Sequence, residues 1–291
     1  MPTSHTYFSQ RLKLHYLDWG NAGAAPVLLV HGVQDHAHNW DWVAEELADD
    51  FHVLAPDLRG HGDSEWAEGG SYSKLDFAYD LLQLVDQENL APVHVISHSM
   101  GGTIGCLFAG AFPDKVRSLI CIEGVGGYPN YLSQDGDPGP RIHDWVTNIR
   151  RLAGRVPRRY PNLTDAFTRM QQANPHLSEA RARHLTIHGS NQNEDGTYSW
   201  KFDNYTHANS PFDINFSDMT SLWENIVCPV LIVNADNGYP HRIGQEGTLR
   251  HFTEVTLKIV EDAGHWVHHD QFETLIALTR NFLATQRVTT R

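Results

Sequence analysis

Cysteine is scarce in this chain of 291 residues: Cys106, Cys121 and Cys228 are widely separated and odd in number, which excludes a disulfide framework. Each lies in an apolar stretch (GCLFAG, LICIEG, IVCPVLIV), so buried free thiols are expected. Basic charge is also short. Against 35 Asp and Glu there are 22 Lys and Arg, a formal net charge of −13, which argues against nucleic acid or an anionic membrane as partner, since both need basic surface. No run of roughly 18 apolar residues exists that could span a bilayer. The opening MPTSHTYFSQRLKLHYLDWG has neither the basic region nor the apolar run of a signal peptide. A soluble, cytoplasmic protein is expected. The 19 histidines are scattered and show no H-E-x-x-H spacing, nor is there a C-x-x-C, so no metal is expected.

What is present is the composition of an ordinary globular protein, 41% hydrophobic and 20% charged, enough to bury a sizeable core. Residues 4–20 alternate roughly between apolar and polar, which suits an antiparallel strand pair at a sheet edge. Five short runs then follow that are apolar almost throughout: PVLLVHG (26–32), FHVLAPD (51–57), VHVISHS (93–99), VRSLICIEG (116–124) and CPVLIVNAD (228–236). A sixth, VTLKIVEDAGH (255–265), is more mixed. Such runs are too short for helices and too apolar for half-exposed strands, so parallel strands covered on both faces are expected. Helical patterns lie between them at 40–49, 73–88 and 101–112, the last stopped by Pro113, and a closing helix is expected over 271–285. The alternation predicts an α/β fold with a doubly wound, mostly parallel sheet.

One gap breaks this rhythm. About a hundred residues separate two strand candidates, beginning with loop-like GVGGYPNYLSQDGDPGP (124–140) and continuing through helical pieces such as RIHDWVTNIRRLAG and LTDAFTRMQQAN. An unstructured loop of that length is improbable in a compact domain. The expected organisation is a core in two parts, 1–124 and 227–291, with a mainly helical cap inserted at 125–226. The cap is rich in aromatics, among them Trp145, Tyr160, Trp200, Phe202, Phe212 and Trp223.

The stretch VISHSMGG (95–102) holds two serines at a strand-to-helix junction. A nucleophilic serine needs small residues two before and two after, because the turn that exposes its hydroxyl is strained. Ser97 and Gly101 flank Ser99 in this way, whereas Ser97 would be flanked by β-branched Val95. Ser99 is therefore the candidate nucleophile, and Ser97 a small-residue substitute for glycine. His265 follows the last strand and is the candidate base. Its neighbours His268 and His269 fall in the next polar turn and are expected to be solvated or capping. Asp236, in the turn VNADNGYP after the preceding strand, is the candidate acid, and the order Ser, Asp, His is that of one known triad arrangement. His31-Gly32-Val33 ends the first parallel strand, where glycine allows the Val33 N–H to face a pocket; the Met100 N–H, at a helix start, is the second expected oxyanion donor.

Taken together, HG at 31–32, DLRGHGDS at 57–64, SHSMGG at 97–102, the Asp236 turn and GHW at 264–266 resemble the α/β-hydrolase superfamily, and the chain looks like a capped, carboxylesterase-like serine hydrolase. The segment DGTYSWKFD (195–203) resembles one found in capped members. Asp57 and Arg59 are expected to structure their loop rather than to react. The resemblance also brings Glu123 forward as an alternative acid, since haloalkane dehalogenases and cofactor-free dioxygenases of this fold can place theirs there; a serine nucleophile argues against halide or epoxide chemistry. The expected activity is cleavage of small to medium acyl or aryl esters through an acyl-enzyme, on a small-molecule substrate and without cofactor. Three alternatives remain open: a C–C bond or lactone hydrolase with the same triad, a cofactor-free dioxygenase, and a ligand-sensing module.

Overall fold

Apolar runs that bury both faces of a strand can only be satisfied inside a layered sheet. A computed structural model describes residues 1–69, 72–126, 138–208, 210–211 and 213–286. The strands are β1 (Thr3–Ser9), β2 (Leu12–Asp18), β3 (Ala25–Val30), β4 (Phe51–Pro56), β5 (Val93–His98), β6 (Val116–Ile122), β7 (Ser190–Gln192), β8 (Tyr198–Trp200), β9 (Val230–Ala235) and β10 (Val255–Val260). Eight of them form one sheet in the order β1-β2-β4-β3-β5-β6-β9-β10, and β7 and β8 make a separate hairpin. β1 and β2 are antiparallel, as the alternation at 4–20 predicts, and β2 meets β4 antiparallel. All remaining pairs in the large sheet are parallel.

The helices are α1 (Asp41–Leu47), α2 (Lys74–Gln87), α3 (Met100–Ala111), α4 (Pro138–Ala153), α5 (Leu163–Ala173), α6 (Glu179–His188), α7 (Phe216–Glu224), the single-turn α8 (Val267–Asp270) and α9 (Phe272–Gln286). One face of the sheet packs with α2, α3 and α7, through residues such as Leu81, Leu107 and Trp223. The other packs with α1 and α9, through Val43, Leu47 and Leu275. All three cysteines are free and buried. In the loop after β4, Asp57 accepts from the N–H groups of Ala37 and Asp63 and contacts His15. Arg59 makes a two-pronged ion pair with Asp80. Both residues do the structuring work expected of them.

From β3 the chain passes to β4 on one side, while β5 pairs with β3 on the other. The order reverses there, and the crevice outside the carboxyl ends of β3 and β5 is where open α/β sheets bind ligands. Between β6 and β9 lie α4, α5, α6, the small hairpin and α7. α5 and α6 share a minor apolar cluster of Leu177, Ala182 and Leu185 with Phe167 and Met170, which reaches down to Trp42 and Trp266. α7 is different in character: Met219 and Trp223 are wholly buried in the main cluster. Residues 127–137 of the loop-like segment, and Phe212, lie outside the described residues.

Candidate active site

β5 stops at His98 and α3 starts at Met100, so Ser99 alone makes the turn, at φ +56° and ψ −119°. That is the left-handed side of the backbone map, costly for a residue with a Cβ and characteristic of strained functional positions. What holds it there is glycine packing. A Cβ on Gly101 would lie 2.4 Å from the His31 carbonyl oxygen and 2.6 Å from that of Val30, so only glycine lets α3 start against the end of β3. The Ser99 N–H donates to the Ile122 carbonyl of β6 at 3.0 Å. Ser97 is fully buried, and its hydroxyl donates to the Ile120 carbonyl at 3.0 Å. It is bonded into the sheet and packs against Gly105 of α3.

His265 sits between β10 and α8 with its ring between two partners. Its Nε2 is 2.9 Å from the Ser99 hydroxyl, and its Nδ1 is 3.2 Å from Oε2 of Glu123. The tautomer that satisfies both contacts donates from Nδ1 to the carboxylate and accepts the serine O–H at Nε2. The His265 carbonyl in turn accepts from Nε2 of His98 at 2.8 Å. The middle residue of S-H-S therefore clasps the loop that carries His265. Burial first, then His268 and His265, hold the His98 imidazole well below its usual range, so it stays neutral.

The carboxylate that faces His265 is that of Glu123, the alternative acid, and not that of Asp236. Asp236 is exposed, and its oxygens accept from the N–H groups of Asn237 at 2.8 Å, Asp262 at 3.0 Å and Ala263 at 3.1 Å. Those backbone bonds, Ala263 first, hold its carboxyl below the ordinary range. Asp236 thus ties the turn after β9 to the turn that leads into His265. Glu123 takes the inner place because β6 lies beside β5, whereas β9 is one strand further out. It is fully buried at φ +50°. Its Oε1 accepts from the Ala235 N–H at 2.7 Å, and its Oε2 from the Tyr239 N–H at 2.7 Å. Arg242 Nη1 adds an ion pair at 3.1 Å. Gly238 makes room for this, since a Cβ there would lie 2.2 Å from both the Glu123 carboxylate and the Arg242 guanidinium. The sequence carries no signal for Arg242 or Tyr239, because their partner lies more than a hundred residues away.

The turn at 31–33 runs beside Ser99: a Cβ on Gly32 would meet Ser99 Cβ at 3.1 Å. His31 braces this turn, accepting the Leu58 N–H at Nε2 (3.0 Å) and donating from Nδ1 to the Gly32 carbonyl (2.7 Å). Burial pushes its pKa down to about 4, so both bonds persist at neutral pH. Met100 opens α3, and the first four N–H groups of a helix have no acceptor within it.

His268 and His269 are buried rather than solvated. His268 stacks on Trp40 with centroids 4.8 Å apart, and both rings contact the Asn39 side chain. Their one-turn helix turns inward against α1, a tertiary placement that local polarity does not announce. Nor are the histidines merely scattered: His38, His184 and His188 gather with Asp41, where α6 meets the core.

With this geometry in view, comparison with known proteins is informative. Residues 25–272 match the family described as alpha/beta hydrolase fold. Over 287 residues the chain is 28% identical to esterase Rv0045c of Mycobacterium tuberculosis, covering 93% of this chain and 86% of that protein. It is 26% identical over 279 residues to the mouse (Mus musculus) sn-1-specific diacylglycerol lipase ABHD11, covering 94% and 85%. The crystal structure of the hypothetical protein PA1622 from Pseudomonas aeruginosa superposes with a TM-score of 0.84 at 24% identity, over 97% of this chain and 98% of that one. Fold, strand-end site and family match agree: this chain belongs to the alpha/beta hydrolase family.

Proposed function

We propose that the chain is a serine hydrolase that cleaves carboxylic esters of small to medium acyl or aryl groups through an acyl-enzyme. One observation carries the reading: the Ser99 hydroxyl lies 2.9 Å from His265 Nε2, and the opposite nitrogen of that ring faces the buried Glu123 carboxylate. In the proposed reaction His265 takes the serine proton as Ser99 Oγ attacks the ester carbonyl. Glu123 orients the ring and stabilises its positive form. The Val33 and Met100 N–H groups receive the oxyanion, each donor of this kind being worth about 3 kcal/mol of barrier. The protonated His265 then gives its proton to the departing alkoxide, and a water activated by the same ring releases the acid. Esterase and lipase relatives support the substrate class.

The inserted segment, up to the start of α7, serves in this reading as the cap that selects the acyl group. Met170, Leu185, Trp200 and Phe202 from the insertion face Gln34 and Trp266 of the core across a narrow pocket. Gln34 and Trp266 are the chain neighbours of Val33 and His265, and in this reading the acyl group enters from their side.

Initial-rate and burst measurements on p-nitrophenyl esters from acetate to decanoate test this. Wild type should turn over the shorter members, and Ser99→Ala should lose at least about 10⁴-fold in kcat/KM. Ester cleavage that survives in Ser99→Ala would overturn the reading. Glu123 in the acid position also suits a cofactor-free dioxygenase, in which His265 would deprotonate the substrate and Ser99 would only bind it. That alternative predicts oxygen uptake with no burst.

A further inference from the structure

α6 presents two histidines to the core with helical spacing. His184 and His188 are four residues apart, so they share a face of the helix. Opposite them, where a single 3-10 turn (Ala37–Trp40) runs into α1, His38 and Asp41 are three residues apart and face the same gap. All four side chains are half-buried, and one donor atom from each lies within 4.8 Å of every other. Asp41 holds the centre. It accepts from His38 Nδ1 at 2.9 Å and from His184 Nε2 at 2.8 Å. The His38 and His188 rings are stacked with centroids 3.7 Å apart, and His184 and His188 lie 4.5 Å apart.

Three imidazoles packed round one carboxylate are poorly explained as a stabilising device. Stacked histidines repel one another if protonated, and one carboxylate cannot neutralise three rings. The set is, however, the donor chemistry of a divalent transition metal: three nitrogens and one oxygen, four ligands in all. A tetrahedral centre with bonds of roughly 2.0–2.1 Å needs its donors about 3.3 Å apart. Side-chain rotation that unstacks His38 from His188 would bring atoms already within 4.8 Å to that spacing. The protons that His38 and His184 now share with Asp41 occupy the place a cation would take. The Lys201 ammonium is engaged by Asp63 at 2.7 Å.

We propose that His38, Asp41, His184 and His188 form a site for one divalent transition-metal ion of the zinc type, which clips helix α6 of the inserted segment to α1 of the core. The site is separate from Ser99, Glu123 and His265 and shares no residue with them, so it stands or falls independently of the ester-cleavage reading. Two of its ligands come from the insertion and two from the core, so the ion binds only the docked arrangement. It stabilises that arrangement by mass action.

The test is titration of chelator-treated full-length protein with Co²⁺, followed by visible d–d absorption, and with Zn²⁺, followed by calorimetry and thermal melting. One equivalent of Co²⁺ should bind with a tetrahedral spectrum that Zn²⁺ displaces. Saturating Zn²⁺ should raise Tm by about 5 °C or more. His188→Gln and His38→Ala should each weaken Co²⁺ binding at least about 100-fold, more than is typical for loss of an outer-sphere partner. Metal-free melting curves of the two variants show whether they remain folded. His265→Ala, which removes the imidazole of the other site, should leave Co²⁺ binding unchanged. The proposal is overturned if no stoichiometric binding occurs, if His188→Gln binds Co²⁺ as wild type does, or if His265→Ala abolishes the spectrum.

Discussion

Which carboxylate faces His265 is decided by reach and by competition for hydrogen-bond donors. Asp236 has its oxygens engaged by three backbone N–H groups at the surface, while Glu123 is buried and aims one oxygen at the imidazole. Replacing Glu123 by Gln keeps the shape but removes the charge that stabilises imidazolium, and its NH2 cannot accept the N–H groups that one carboxylate oxygen now receives. It should lower kcat/KM for p-nitrophenyl acetate by about 10³–10⁴-fold, as loss of the acid does in other triads. Asp236→Asn should stay within about tenfold of wild type, since it disturbs only the turn that leads to His265. The reverse ranking of these two variants would restore Asp236 as the acid. Ser99 and His265 were legible in the chain because a strained strand-to-helix turn and a strand-end histidine are local features. The carboxylate that faces the ring was not, because Glu123 and Asp236 both follow strands, and only the order of β5, β6 and β9 in the sheet separates them. The clasp from His98 to the His265 carbonyl was hidden for the same reason, being a contact across 167 positions.

The junction of β5 with α3 shows how one unusual residue is absorbed by its surroundings. Ser97 brings a hydroxyl into a place where the usual pattern has glycine, and the room for it comes from Gly105, in the second turn of the nearly all-apolar helix α3. A Cβ on Gly105 would lie 2.8 Å from Ser97 Oγ and 3.2 Å from its Cβ. A glycine inside a helix costs about 1 kcal/mol relative to alanine, so position 105 gives up stability to seat the serine. Gly105→Ala should destabilise the wild type by about 1–2 kcal/mol through overpacking. In a Ser97→Gly background the same change should be neutral or stabilising by up to about 1 kcal/mol. Urea midpoints of the four proteins in this double-mutant cycle measure the coupling, and additive effects would refute it. The strands themselves were readable, since runs such as PVLLVHG and VHVISHS bury both faces and have no other use. The limits of the insertion were less so. α7 carries an amphipathic pattern like its neighbours, and only its packing of Trp223 against the main core assigns it there.

The whole molecule stores an unusual number of neutral histidines in its interior, and this makes its stability depend on pH. His31 is held at about 4 and His61 at about 3, in both cases mainly by burial. Burial likewise keeps His98, His268 and His269 well below the ordinary value. In the unfolded chain each would titrate near 6.5. Between about pH 6.5 and 4 the unfolded state therefore binds protons that the folded state refuses, and stability must fall as pH drops through that window. Asp35 opposes the trend. Burial raises its pKa to about 8, so the folded state keeps one proton there that the unfolded chain releases above pH 4. With His36, also held at about 4 by burial, six buried histidines against one carboxyl leave the balance with the histidines. A net uptake of even two protons on unfolding gives a slope of about 2.7 kcal/mol per pH unit. Urea unfolding at intervals from pH 7.5 to 5 should show the midpoint nearly level above pH 7 and falling steeply below 6.5. His61→Asn, which removes one buried titrating ring, should reduce the slope by about 1.4 kcal/mol per pH unit in the acid part of the window. A midpoint that stays level down to pH 5 would mean that these rings are charged, or reach water, in the folded protein, and the closely packed histidine interior would have to be abandoned.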